Sequence, residues 1–76
     1  MKLYAGGYLT FYTPDQQPEI DRVLTAPIEL SKLLADIGIP AGDVQLVILN
    51  GQIVDLDQAV IHEQDMVKIF PGVDGG

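Results

Sequence analysis

The chain closes on Phe70-Pro71-Gly72-Val73-Asp74-Gly75-Gly76, and the reactive group that this stretch offers is not a side chain but the main-chain carboxyl of Gly76. Residues without Cβ atoms make a tail thin enough to lie extended in a narrow channel and carry a terminal carbon to a second reactant. With glycine near 7% of average usage, a Gly-Gly end arises by chance in roughly one chain in two hundred. The pair is therefore a weak signal alone and is weighed with its surroundings.

Other candidates for chemistry are few. The chain has no cysteine, which removes a disulfide framework, thiolate zinc sites and a thiol nucleophile together. Any sulfur chemistry must use another atom of the chain. The single histidine, His62, cannot form a His pair for a metal and gives a Ser-His-Asp set no organiser; flanked by Glu63, Gln64 and Asp65 it reads as a solvated loop residue. Asp55 and Asp57 read as turn residues rather than an acid–base pair, and two aspartates at i, i+2 do not make a calcium loop. No phosphate-cradling loop is present. Tyr4, Tyr8 and Tyr12 read as sheet-surface or core-rim residues. No residue is expected to be catalytic, and no metal or bound cofactor is expected.

Eleven acidic and four basic side chains give a net charge of -7, with no Lys/Arg cluster. Such a surface repels phosphate backbones, so nucleic acid is a poor partner and a basic protein surface a better one. No apolar run approaches the length of a bilayer span, and no basic segment precedes an apolar one at the start. A membrane role is not expected, and the cytoplasm is the expected location. The 76 residues, 47% of them hydrophobic, suffice for one compact core and leave little room for a catalytic lobe.

The elements that would position the tail follow from periodicity. Residues 8–13, YLTFYT, put Leu9 and Phe11 on one face and predict a strand, and Gly6-Gly7 before it is either a bulge in a longer strand from Lys2 or a break. TPDQQP is turn chemistry, and residues 19–25 alternate, which predicts a first hairpin of 8–13 with 19–25. From Pro27 the apolar residues Leu30, Leu33, Leu34 and Ile37 recur on one helical face. They predict the one main helix, of about three turns, with Pro27 in its first turn and Gly38-Ile39-Pro40 as its stop.

VQLVIL, the Asn50-Gly51 turn and a return over 52–54 predict a second hairpin, its first strand apolar on both faces and so expected to be covered on both. MVKIF predicts a last strand that stops at Pro71. The expected fold is α+β, a mixed sheet of four to five strands with one main helix on one face, the first and last strands parallel. The folded domain is expected over residues 1–70, followed by a flexible tail over 71–76.

The run VILNGQIVD followed by IHEQDMVKIFPGVDGG resembles the C-terminal half of the ubiquitin-like sulfur carriers of the MoaD/ThiS type, specifically over residues 44–76 and only in coarse topology before that. The resemblance implies a β-grasp fold. The chain departs from the pattern at Glu63-Gln64-Asp65, where the family has Asp-Gly-Asp, at Gly72, where it has a second proline, and at Pro27, where relatives often place a threonine helix cap.

By resemblance, an E1-like adenylyltransferase of the MoeB/ThiF type would use ATP to adenylate the Gly76 carboxyl. A sulfur donor would then convert it to a thiocarboxylate for an acceptor synthase. Coupling to AMP turns a poor acyl donor into a good one, which a persulfide or thiol can attack. Gly75, Asp74, Val73 and Gly72 would be the tether.

If Val67, Ile69, Val47 and Leu49 face the helix, Phe70, Lys68, Ile48 and Leu46 share the open face and form a candidate docking patch. The FPGV-x-GG ending points to a molybdopterin-type carrier over a thiamin-type one, although short length points the other way. Two alternatives stand beside the carrier. One is a ubiquitin-like modifier joined to other proteins through Gly76, the other an interaction module to which the glycines are incidental.

Overall fold

The structure is a computed structural model and describes residues 1–72; Val73, Asp74, Gly75 and Gly76, to which the reactive end and most of the tether were assigned, lie outside the described residues. Strand β1 spans Lys2–Ala5, burying Leu3 and Ala5 and turning Lys2 and Tyr4 the other way. It pairs antiparallel with β2, Glu19–Asp21, with Leu3 opposite Ile20.

The expected hairpin of 8–13 with 19–25 is therefore displaced. Gly7, at φ 54°, ends the run of β1, and Gly7–Tyr12 wind into a 3-10 turn. Residues three apart eclipse in such a turn, so Leu9 is fully buried and Tyr12 packs against the core, whereas Phe11 is 69% exposed. A strand would have buried Leu9 and Phe11 together. TPDQQP does turn, with Asp15 and Gln16 in left-handed conformations. Strand β2 is shorter than expected: the Arg22 N–H still reaches the Met1 carbonyl at 3.0 Å, and no described strand lies opposite residues 23–25.

A two-residue strand, β3, Ile28–Glu29, precedes the helix. Its backbone pairs elsewhere in the fold, so α1 spans Leu30–Ile37, little over two turns, and Pro27 is not in it. The N-cap is Glu29, with no side-chain hydrogen bond; the Leu30 N–H instead donates to the Ala59 carbonyl at 3.0 Å. Leu30, Leu33 and Leu34 are buried as the spacing predicts, and Ile37 is half-buried. Gly38, at φ 104°, and Ile39 both donate to the Leu34 carbonyl, and Ile39 is buried against the core.

Strand β4, Val44–Leu49, turns through Asn50 and Gly51, both at positive φ, into β5, Gln52–Val54. Strand β6, Val60–Ile61, pairs with β3 in a small second sheet. Strand β7, Met66–Pro71, lies at the centre of the main sheet, whose order is β2-β1-β7-β4-β5, parallel to β1 and antiparallel to β4. The last strand, not the apolar β4, is thus the central one. Val47, Val67 and Ile69 join Leu3, Leu9 and the helix leucines in the core. The opposite face of β4 is not covered as expected: Leu46 and Ile48 are half-exposed. One helix on one face of a five-stranded mixed sheet is the β-grasp arrangement.

Candidate functional site

The central strand leads from a clasp at its start to the root of the tail at its end. At the start, the Asn50 side-chain amide donates to Asp65 Oδ1 (2.9 Å) and accepts from the Met66 N–H (2.9 Å), while the His62 N–H donates to Asp65 Oδ2 (2.8 Å). The Lys2 N–H adds a bond to the Asp65 carbonyl at 3.1 Å, tying β1 to the same turn. The hydrogen bond from Asn50 holds the Asp65 carboxyl below the usual carboxylate range, helped by the His62 backbone and ring and opposed by partial burial. Gln64, where the family has glycine, is not among the residues at positive φ, so the turn closes without one.

At the other end, Gly6 and Gly7 grip the root of the tail. The Gly6 N–H donates to the Ile69 carbonyl at 2.8 Å, and a Cβ on Gly6 would lie 2.6 Å from Phe70 Cδ1. A Cβ on Gly7 would lie 2.9 Å from Pro71 Cγ. The sequence left Gly6-Gly7 undecided between a bulge in a longer strand and a break; the strand breaks there, and the pair packs closely on Phe70 and Pro71. Strand β7 does stop at Pro71, which pairs with Val44 across a bulge.

Alternation along β7 then separates two faces. Val67 and Ile69 are fully buried, whereas Lys68 is exposed and Phe70 half-exposed on the other side. The register places Leu46 beside Phe70 and Ile48 beside Lys68, so the expected patch of Phe70, Lys68, Ile48 and Leu46 is brought together on the open face. Sequence reasoning missed three of its neighbours. Tyr4 is the β1 residue opposite Lys68, and its ring lies 5.9 Å from that of Phe70 at 52°. Ile53, 74% exposed, is opposite Ile48; the two-residue Asn50-Gly51 turn fixes that register and would have found it. Met66 is also exposed on this face.

Two shallow hollows flank the ridge of Met66 and Lys68. One, of about 420 Å³, is lined by these two with Tyr4, Glu19 and Phe70; the other, of about 400 Å³, is lined by them with Ile48, Asn50 and Gly51.

The remaining candidates stay apart. Asp55 and Asp57 are exposed around the short 3-10 turn of Leu56–Gln58, and His62 is exposed. Among the described residues no group of three or more His, Asp or Glu could hold a metal. Tyr12 donates its hydroxyl to Asp43 Oδ2 at 2.9 Å, and that bond to a carboxylate pushes the phenol above its usual range. No helix among the described residues is long and apolar enough to cross a membrane.

A β-grasp body whose central strand runs straight into the C-terminal segment has the form of the small ubiquitin-like carriers. The chain belongs to the ThiS family, whose model matches residues 12–76. The match begins well upstream of Val44, where the motif resemblance became specific, and takes in α1 and its flanking turns. Proteins of this family are small sulfur carriers, and they interact with an E1-like activating enzyme. No curated protein matches the chain.

Proposed function

We propose that the protein carries sulfur on the carboxyl of Gly76 for the biosynthesis of a sulfur-containing cofactor. An oxygen of that carboxylate attacks the α-phosphorus of ATP on an adenylyltransferase of the MoeB/ThiF type, releasing pyrophosphate. The persulfide of a sulfur donor attacks the resulting acyl-adenylate and displaces AMP, and a thiol cleaves the S–S bond to leave a thiocarboxylate. The acceptor synthase takes that sulfur, and ATP is consumed on the activating partner. The carrier supplies no catalytic group of its own.

The observation that carries this reading is the family match through residue 76, on a fold whose central strand is β7, Met66–Pro71. Phe70, Lys68, Ile48 and Leu46 form the docking patch, and Gly72 to Gly75 the tether into the partner. Of the acceptors, the FPGV-x-GG ending favours a molybdopterin-type synthase over a thiazole-forming one, and the cytoplasm is the site of action.

The test is intact mass spectrometry after incubation with the activating enzyme, ATP and a sulfur source from the same organism. The expected product is heavier by the difference between one sulfur and one oxygen, and Gly76 deletion abolishes it. Failure to form it with every such enzyme rejects the proposal. Higher-mass protein adducts that depend on Gly76 would instead favour the modifier.

A further inference from the structure

The chain is strongly acidic, yet its open sheet face is not. Its basic residues number four in all, and Lys2 and Lys68 are two of them on this face. The carboxylates on the same face, Glu19 and Asp21, belong to the outer strand β2, opposite Tyr4 and Lys2. On β7, β4 and β5 the open face carries Met66, Phe70, Leu46, Ile48 and Ile53, and the one charge among them is Lys68.

Lys68 lies between Tyr4 on one side and Ile48 on the other, on the ridge between the two hollows. It makes no ion pair among the described residues, where the ion pairs are Met1–Glu63 and His62–Asp65. Glu19 lines one of the hollows with it and does not pair with it.

Water solvates an ammonium in the free protein. When a partner covers an apolar face, that solvation is lost, and a charge left unpaired beneath the contact opposes binding. A cationic head ringed by apolar side chains therefore selects a surface that returns a counter-ion. We propose that the partner surface that docks on this face presents a carboxylate to Lys68, surrounded by apolar side chains that enter the two hollows.

This is the local opposite of what net charge alone suggests, a basic partner surface. The acidic bulk of the chain sets long-range attraction, and the centre of the contact has the reverse polarity. The proposal rests on the sulfur-carrier reading, because the partner in question is the activating enzyme.

The experiment measures the KM for the carrier in pyrophosphate release by the activating enzyme of the same organism. It compares wild type with Lys68→Glu, Lys68→Met and Lys32→Glu. Lys68 and Lys32 are both exposed, so circular dichroism and thermal melting should show folded variants. Lys32 is on α1, away from the open face, and its substitution makes the same change in net charge.

Lys68→Glu is expected to raise KM by about tenfold or more, Lys68→Met by less, and Lys32→Glu to leave it unchanged. An unchanged or lowered KM for Lys68→Glu overturns the proposal, as does an equal rise for Lys32→Glu, which would make the effect one of total charge. A wild-type chain that supports no pyrophosphate release removes the carrier function and the partner with it, which is distinct from release that ignores Lys68.

Discussion

Consecutive residues of β7 meet opposite fates. Val67 and Ile69 have no exposed surface and lie beneath α1, while Met66, Lys68 and Phe70 face outward and pack mainly on sheet neighbours. The inner row fills the sheet–helix core, and the outer row, Lys68 between Met66 and Phe70, is exposed or half-exposed. An apolar face that folding leaves uncovered is available for association. The contrast makes the two rows separable by mutation, with the inner row read in stability and, under the proposed function, the outer row in docking.

The largest effect on stability should come from the inner row. Ile69→Ala is expected to cost about 2–5 kcal/mol, measured by urea denaturation, because a fully buried side chain leaves a cavity in the sheet–helix core. Phe70→Ala should cost much less stability and weaken docking instead, read as a rise in KM with the activating enzyme. Comparable stability losses for the two variants would collapse the distinction.

Gly6→Ala couples the rows. Its Cβ would meet the Phe70 ring at 2.6 Å and the Ile69 carbonyl at 3.3 Å, so the ring must shift, at about 1–3 kcal/mol, and docking should weaken along with stability. A variant that melts like wild type would show that the ring yields freely.

Asn50→Ala removes the amide that bridges Asp65 and the Met66 N–H, with an expected cost of about 1–2 kcal/mol at neutral pH. The smallest effect expected is one of pH. The folded-state pKa of Asp65 is depressed, so its contribution is complete above the unfolded value of about 4 and is lost as pH falls through the folded value. Melting temperature should therefore fall on acidification below about pH 4, and less steeply in Asp65→Asn. Parallel curves for the two proteins would separate the clasp from the acid sensitivity.

What the sequence disclosed and what it withheld divide along the chain. The second half was legible because Asn50-Gly51 demands a tight turn, which fixes the register of β4 with β5, and because MVKIF alternates cleanly. The facing of Lys68, Phe70, Ile48 and Leu46 followed from that alternation. The first half misled because YLTFYT has strand composition but sits beyond Gly7, whose positive φ diverts the backbone into a 3-10 turn. The helix start was misplaced because Ile28–Glu29 pair with Val60–Ile61, a contact between residues some thirty positions apart that local pattern cannot register. Tyr4 was missed at the candidate site for a related reason: its position opposite Lys68 depends on the parallel pairing of β1 with β7.

The placement of β7 also bears on biosynthesis. Its residues are the last of the sheet to be made, yet they occupy the middle, so β1 and β2 on one side and β4 and β5 on the other have no strand to pair them into one sheet until Met66–Pro71 arrives. A polypeptide interrupted before that segment cannot close its core and remains a substrate for proteases. Any molecule that folds has therefore already been translated through Pro71, and the sheet closes only around its last-made strand.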